Sequence, residues 1–278
     1  MKVVWIAAGL LTLPFMIQTN WIAGASTESA KLRSHFARSV SMFELNPLSI
    51  GEANPGVDPL TLQFSGYQWK VKVSHNRVGP GPNYFADGSK NVWVDARGRL
   101  HLRLTQEEGR WHCAKVISLR SFGYGSYRFY VDSTFDDLDP RVVLGLFTWS
   151  DLSSYSHREI DVEISRWGER DNKNGQFVIQ PYTRPMNIVR FEVPSGLNAS
   201  THSFTWRPDS VVCESLRGSS GDARHPKRVI ERHTFTEGIP QAGGENARMN
   251  LWLVQGRPPL DGKETEVIIS RFEFVPLP

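Results

Sequence analysis

The sequence is short of cysteine, of charge imbalance and of long apolar runs. Only two cysteines, Cys113 and Cys213, occur in 278 residues. Neither lies in a C-x-x-C pair or a His/Cys cluster, so no zinc module is written here. A disulfide between them suits an oxidising compartment and two buried thiols suit the chain equally, because spacing does not place their Cα atoms within the ~7 Å a bridge needs. Lys and Arg number 32 against 29 Asp and Glu, for a formal charge of +3. No basic run stands out, and nucleic acid is not an expected partner. Repeats, low-complexity tracts and a sustained 3.6-residue apolar period are also missing, which argues against solenoids and helical bundles.

One apolar run does occur, over residues 3–17. Lys2 precedes it, Pro14 interrupts it, and Ala23-Gly24-Ala25 follows as a small-x-small cleavage site. Residues 1–25 therefore read as an export signal rather than a membrane span, and the mature chain is expected to be secreted or periplasmic. Residues 26–62 form an irregular leader punctuated by Pro47, Pro55 and Pro59, with room for one short helix near 28–38. Residues 63–278 suit one large domain.

In that domain, short β-rich segments recur with turn signals between them. They fall at 92–95, 99–105, 111–119, 126–131, 142–149, 158–165, 176–180, 188–193, 203–206, 211–216, 248–254 and 266–274. Asp95-Ala96-Arg97-Gly98 and Phe122-Gly123-Tyr124-Gly125 read as hairpin turns. About a dozen strands without intervening helices predict an all-β sandwich of two antiparallel sheets.

The segment Glu159-Ile160-Asp161-Val162-Glu163-Ile164 is the most informative. In a strand, alternate side chains share a face, so the three acids emerge together while Ile160, Val162 and Ile164 face a core. Alone, such alternation also describes a solvated acidic stripe. Yet adjacent acids at roughly 6.6 Å spacing raise each other's pKa, and two Glu side chains leaning inward can approach the ~5–5.5 Å separation of a nucleophile and an acid/base.

The flanking segments decide between these readings. Glu159-Ile160-Asp161-Val162-Glu163 resembles the E-[IL]-D-x-E signature of glycoside hydrolase family 16. Phe122-Gly123-Tyr124-Gly125-Ser126-Tyr127, Gly145-Leu146-Phe147-Thr148-Trp149, His202-Ser203-Phe204-Thr205-Trp206-Arg207-Pro208 and Asn250-Leu251-Trp252 resemble further segments of that family, in its order. The resemblance spans roughly 64–276. It implies a β-jelly-roll of concanavalin A-like type that hydrolyses internal β-linkages of a polysaccharide, β-glucan in type, with retention of configuration. By motif position Glu159 is the nucleophile, Asp161 the helper carboxylate and Glu163 the general acid/base. Transglycosylation, or carbohydrate binding without cleavage, are the alternatives on the same fold.

Around the acids, Phe147, Trp149, Trp167 and Trp252 are candidates to pack on sugar faces, with core packing the competing role of any one tryptophan. Trp69 and Trp93 are expected to be structural. Asn83, Asn250, Gln180 and His202 are candidate hydrogen-bonding partners of the sugar, His202 equally a structural histidine. Catalysis through two carboxylates needs no cofactor. Relatives of the fold hold a structural calcium, but no ligand cluster here identifies one, and no metal ligand is assigned. A monomer is expected. Three positions depart from the lichenase-like pattern: His157 stands where a tryptophan is usual, and Lys115 and Ile117 stand where an acid and an arginine are usual.

Overall fold

The structure, a computed structural model, describes residues 60–86, 88–219 and 228–278. The expected export signal and nearly all of the expected leader lie outside the described residues. The remainder is built from strands, in chain order β1 (Thr61–Phe64), β2 (Tyr67–Val71), β3 (Ser74–Val78), β4 (Asn83–Phe85), β5 (Val92–Val94), β6 (Leu100–Glu107), β7 (Arg110–Ser121), β8 (Gly125–Val131) and β9 (Val142–Trp149). They continue as β10 (Ile160–Ile164), β11 (Gly175–Ile179), β12 (Ile188–Phe191), β13 (Ser200–Trp206), β14 (Val211–Arg217), β15 (Val229–Phe235), β16 (Asn246–Leu253) and β17 (Thr265–Pro276).

Two layers result. The first is ordered β1-β2-β7-β16-β9-β10-β11-β12 and is antiparallel throughout. The second is ordered β5-β6-β17-β8-β13-β14-β15, also antiparallel. The β6–β7 hairpin joins them. Its tip pairs Thr105 with His112 and Glu107 with Arg110, below which β6 runs into the second sheet and β7 into the first. Glu108 and Gly109 turn the tip with positive φ, a conformation that suits glycine. This is the expected two-sheet jelly-roll.

Alternation explains the core. Ile160, Val162 and Ile164 are each fully buried and belong to one cluster with Phe129 and Phe204 of the second sheet. Each such side chain contributes about 1.5–3 kcal/mol by leaving water. Trp69 of β2 meets Phe272 of β17 edge-on at 5.2 Å, so it bridges the layers and is structural, as its early position suggested. Cys113 on β7 and Cys213 on β14 are both buried free thiols, which resolves the choice left open by the sequence.

One local expectation holds and two differ. Asp95–Gly98 is a hairpin turn, with Asp95 accepting from the Arg97 and Arg99 amides at 2.9 Å. Phe122–Gly125 is not one: β7 and β8 lie in different sheets, so the segment is a crossover. Tyr127 pins it by donating its hydroxyl to the Gly123 carbonyl at 2.6 Å. The strands β1–β4 and β15 have no counterpart among the expected segments. Sequences such as Ser74-His75-Asn76-Arg77-Val78 and Ile230-Glu231-Arg232-His233 carry too many exposed polar residues to show a period of two.

Candidate active site

Registers across the first sheet place its outward residues in rows. One row runs Lys115 (β7), Asn250 (β16), Gly145 (β9), Glu163 (β10), Gln176 (β11) and Arg190 (β12). The next runs Ile117, Arg248, Phe147, Asp161 and Val178. Glu159 precedes β10 in extended conformation (φ −90°, ψ 125°), and its carbonyl accepts from the Gln180 amide at 3.2 Å. All three acids therefore leave the same face, opposite the core. Asp161 is buried, whereas Glu159 and Glu163 are half-buried.

The acids differ in their partners. Asp161 and Glu159 share a hydrogen bond that raises the pKa of Asp161 and lowers that of Glu159. Burial, followed by the charges of Glu159 and Glu163, holds Asp161 well above the usual carboxylate range. Asp161 is thus the protonated donor and Glu159 its acceptor. Burial and the Glu163 charge push Glu159 up to about 8, against the opposing pull of Asp161, Lys115 and Arg248. Glu163 is raised by burial to about 7, opposed by its bond from Gln176 Nε2 (2.5 Å) and by the Arg190 charge. Gln180 Nε2 reaches Asp161 Oδ2 at 3.5 Å, while its Oε1 accepts from the Tyr182 amide.

A strained turn delivers the chain to Glu159. Tyr155, Ser156, His157 and Arg158 all have φ between 50° and 61°. Left-handed backbone costs a non-glycine residue roughly 1–2 kcal/mol, and four in succession mark a built feature. The turn lays the His157 ring on Trp149 at 4.0 Å and 11°. His157 Nδ1 donates to the Ser150 carbonyl at 2.9 Å, which fixes the tautomer. One face of Trp149 is thereby covered by protein.

Most of the expected residues come together. Phe147, Trp149, Asn250 and Trp252 share the outward face with the acids. Trp167 meets Trp252 edge-on at 6.0 Å, with the Arg190 guanidinium over its ring at 5.4 Å. Gly145 matters here: a Cβ on it would sit 2.4 Å from Asn250 Oδ1, so glycine lets that amide lie across β9 toward Glu163. Asn83 sits where β4 meets the end of β16, its Nδ2 donating to the carbonyls of Pro80 (2.8 Å) and Leu253 (2.9 Å).

His202 is the correction. It lies on β13, in the second sheet, with no exposed surface. Its ring nitrogens are engaged by Ser200 Oγ (2.9 Å) and Ser215 Oγ (2.8 Å), and burial lowers its pKa to about 4. It is a core histidine, remote from the acid-bearing face.

Gln176, Arg190, Arg248 and Lys72 were missed. Arg248 was within reach of the sequence, since it precedes Asn250 by two residues on the same strand and so shares its face. Gln176 and Arg190 required the registers of β11 and β12. Among the described residues, no group of three or more His, Cys, Asp or Glu side chains is arranged to hold a metal ion, the triplet included. No helix among them is long and apolar enough to cross a membrane. A hollow of about 290 Å³ on the second sheet, lined by residues including Thr201, Ser203, Thr205 and Arg232, contains none of the triplet.

No protein-family model and no curated protein matches the chain. Solved structures do. A Bacillus licheniformis β-glucanase superposes with a TM-score of 0.54 at 19% identity, covering 79% of this chain and 98% of that one. A prokaryotic β-1,3-1,4-glucanase (lichenase) derived from a mouse hindgut metagenome gives 0.53 at 17%, covering 80% and 100%. SCLam, a non-specific endo-β-1,3(4)-glucanase from family GH16, gives 0.52 at 14%, covering 74% and 83%. The chain has the jelly-roll fold of these glucanases.

Proposed function

We propose that the protein is a retaining endo-glycosidase acting on a polysaccharide of β-glucan type. The observation that carries this reading is the unequal partnering of three acids on one strand face. Glu159 accepts from Asp161 and feels two cations, which pull it toward its ionised form against the burial and the Glu163 charge that raise it to about 8. Glu163, raised to about 7, can hold a proton near neutrality and release it. The partners, rather than the two raised values, distinguish a nucleophile drawn toward ionisation from an acid/base that cycles its proton. The fold shared with glucanases supports the same substrate class.

In the first step the Glu159 carboxylate attacks the anomeric carbon while Glu163 protonates the departing glycosidic oxygen. A glycosyl ester on Glu159 results. In the second step Glu163, now a carboxylate, takes a proton from water; the hydroxide oxygen bonds to the anomeric carbon and Glu159 leaves as carboxylate. Gln176 orients Glu163, and Asp161 orients Glu159. Export through residues 1–25 belongs to the same proposal, since a polymer of this kind is met outside the cytoplasm.

The test is product analysis over time on mixed-linkage glucan, laminarin and xyloglucan, with Glu159→Ala and Glu163→Ala as controls. Internal cleavage with retained anomeric configuration, lost in both variants, is expected. Inverted product, or cleavage surviving both substitutions, overturns the mechanism.

A further inference from the structure

Besides Arg190 next to Glu163, three cations share the outward face with the acids, and the steps above use none of them directly. Lys72 and Lys115 stand side by side, the Lys72 amide donating to the Lys115 carbonyl at 2.9 Å. Arg248 is the outward neighbour on β16. Lys115 and Arg248 are each only 5% exposed. Like charges directly opposite one another in a sheet are destabilising, and burial makes them more so.

Their compensation is incomplete. Lys72 Nζ donates to the Gly79 carbonyl at 2.8 Å. Arg248 Nη2 reaches Asp151 at 3.0 Å, but the Asp151 side chain is 85% exposed and its attraction is screened. Arg248 Nε is buried with no hydrogen-bond partner among the described residues. Lys115 Nζ lies over the Phe147 ring at 5.0 Å and donates no compensating hydrogen bond to a described carboxylate or carbonyl. Burial first, then the Lys72 and Arg248 charges, hold the Lys115 amine well below the usual lysine range, against the pull of Glu159 and Asp151, so the cluster is short of anions. Nearly buried donors left open in this way are costly unless an outside acceptor completes them.

We propose that Lys72, Lys115 and Arg248 form a subsite for an anionic substituent, a carboxylate or a sulfate, on the sugar bound beside Glu159. The preferred substrate is then an acidic β-linked glycan rather than a neutral glucan. The inference rests on the glycosidase reading for its sugar and on the cation cluster for its charge. It also gives a role to Lys115, one of the three positions that depart from the lichenase-like pattern.

The test measures binding by calorimetry in the Glu163→Gln protein, which holds substrate without turning it over. Three probes are used: a neutral β-1,3-1,4-gluco-tetraose, the same tetraose with C6 oxidised to carboxylate, and the same tetraose 6-O-sulfated. At least one anionic probe is expected to bind about tenfold or more tighter than the neutral one, charge-assisted contacts being the strong ones. The advantage should shrink as sodium chloride is raised. It should vanish in Lys115→Met and persist in Lys115→Arg, with Lys72→Met as a second charge deletion at a less buried position. Whichever anionic probe gains identifies the group. Equal binding of neutral and anionic probes, or a preference surviving loss of Lys115, overturns the subsite and leaves the glycosidase reading intact. Binding of none of the three by folded protein overturns both.

Discussion

His202 and Arg248 are both almost wholly buried, one between the sheets and the other on the outward face of the first sheet. His202 has a serine hydroxyl on each ring nitrogen. Glu245, also interior, accepts from the Gly123 and Gly243 amides at 3.0 and 2.6 Å. On the outward face the pattern reverses: Arg248 Nε, Asn250 Oδ1 and Gln176 Oε1 are buried without partners among the described residues. The interior groups His202 and Glu245 are closed by the fold, as stability demands, whereas Arg248, Asn250 and Gln176 around the acids keep valences open. Unmade hydrogen bonds cost stability and leave donors and acceptors for a ligand.

The largest way to break this contrast is to remove the acids. Glu163→Gln should lower turnover by about 10²–10⁴-fold, the usual worth of general acid–base catalysis, while thermal unfolding stays cooperative. If turnover is unchanged, the outward face is not catalytic.

Stability should respond oppositely in the two regions. His202→Ala strands the Ser200 and Ser215 hydroxyls and should cost about 1–3 kcal/mol in denaturant unfolding. Arg248→Met removes a poorly compensated buried charge and should leave stability unchanged or higher by about 1 kcal/mol. A destabilised Arg248→Met would mean that the outward cations hold the fold together.

Acid and base should also pull the two regions apart. Glu163, raised from 4.5 to about 7, binds its proton more tightly when folded. Its contribution to stability is complete below about 4.5 and is lost as pH climbs through 7. His202, lowered from 6.5 to about 4, contributes above about 6.5 and loses that contribution as pH falls through 4. Glu163→Gln should therefore flatten the stability profile on the side from 4.5 to 7. His202→Asn should flatten it from 6.5 down to 4. Chemical denaturation across pH reads both slopes.

The smallest effect concerns Gly145. Gly145→Ala places a methyl against Asn250 Oδ1, the end of a side chain that can turn aside. Unfolding free energy should shift by less than about 1 kcal/mol. KM should rise more than kcat falls, since the displaced amide binds rather than reacts; the reverse split would make Asn250 part of the chemistry.

Several features of this protein were decided locally. Alternation in Glu159–Ile164 put three acids on one face and three aliphatic residues in the core because strand geometry has a period of two. Asp95–Gly98 closed a hairpin because an aspartate and a glycine satisfy that turn within a few residues. The two-layer architecture followed from many short apolar segments without helices between them. Other features had no local signal. Nothing near His202 states that its strand belongs to the second sheet, and nothing in 122–125 states that β7 and β8 part company there. Gln176, Arg190 and the Lys72–Lys115 pair entered the site through registers between strands distant in the chain. A side chain's face is set by its own neighbours, but what stands across from it is set by which strands pair, and only the folded sheet decides that.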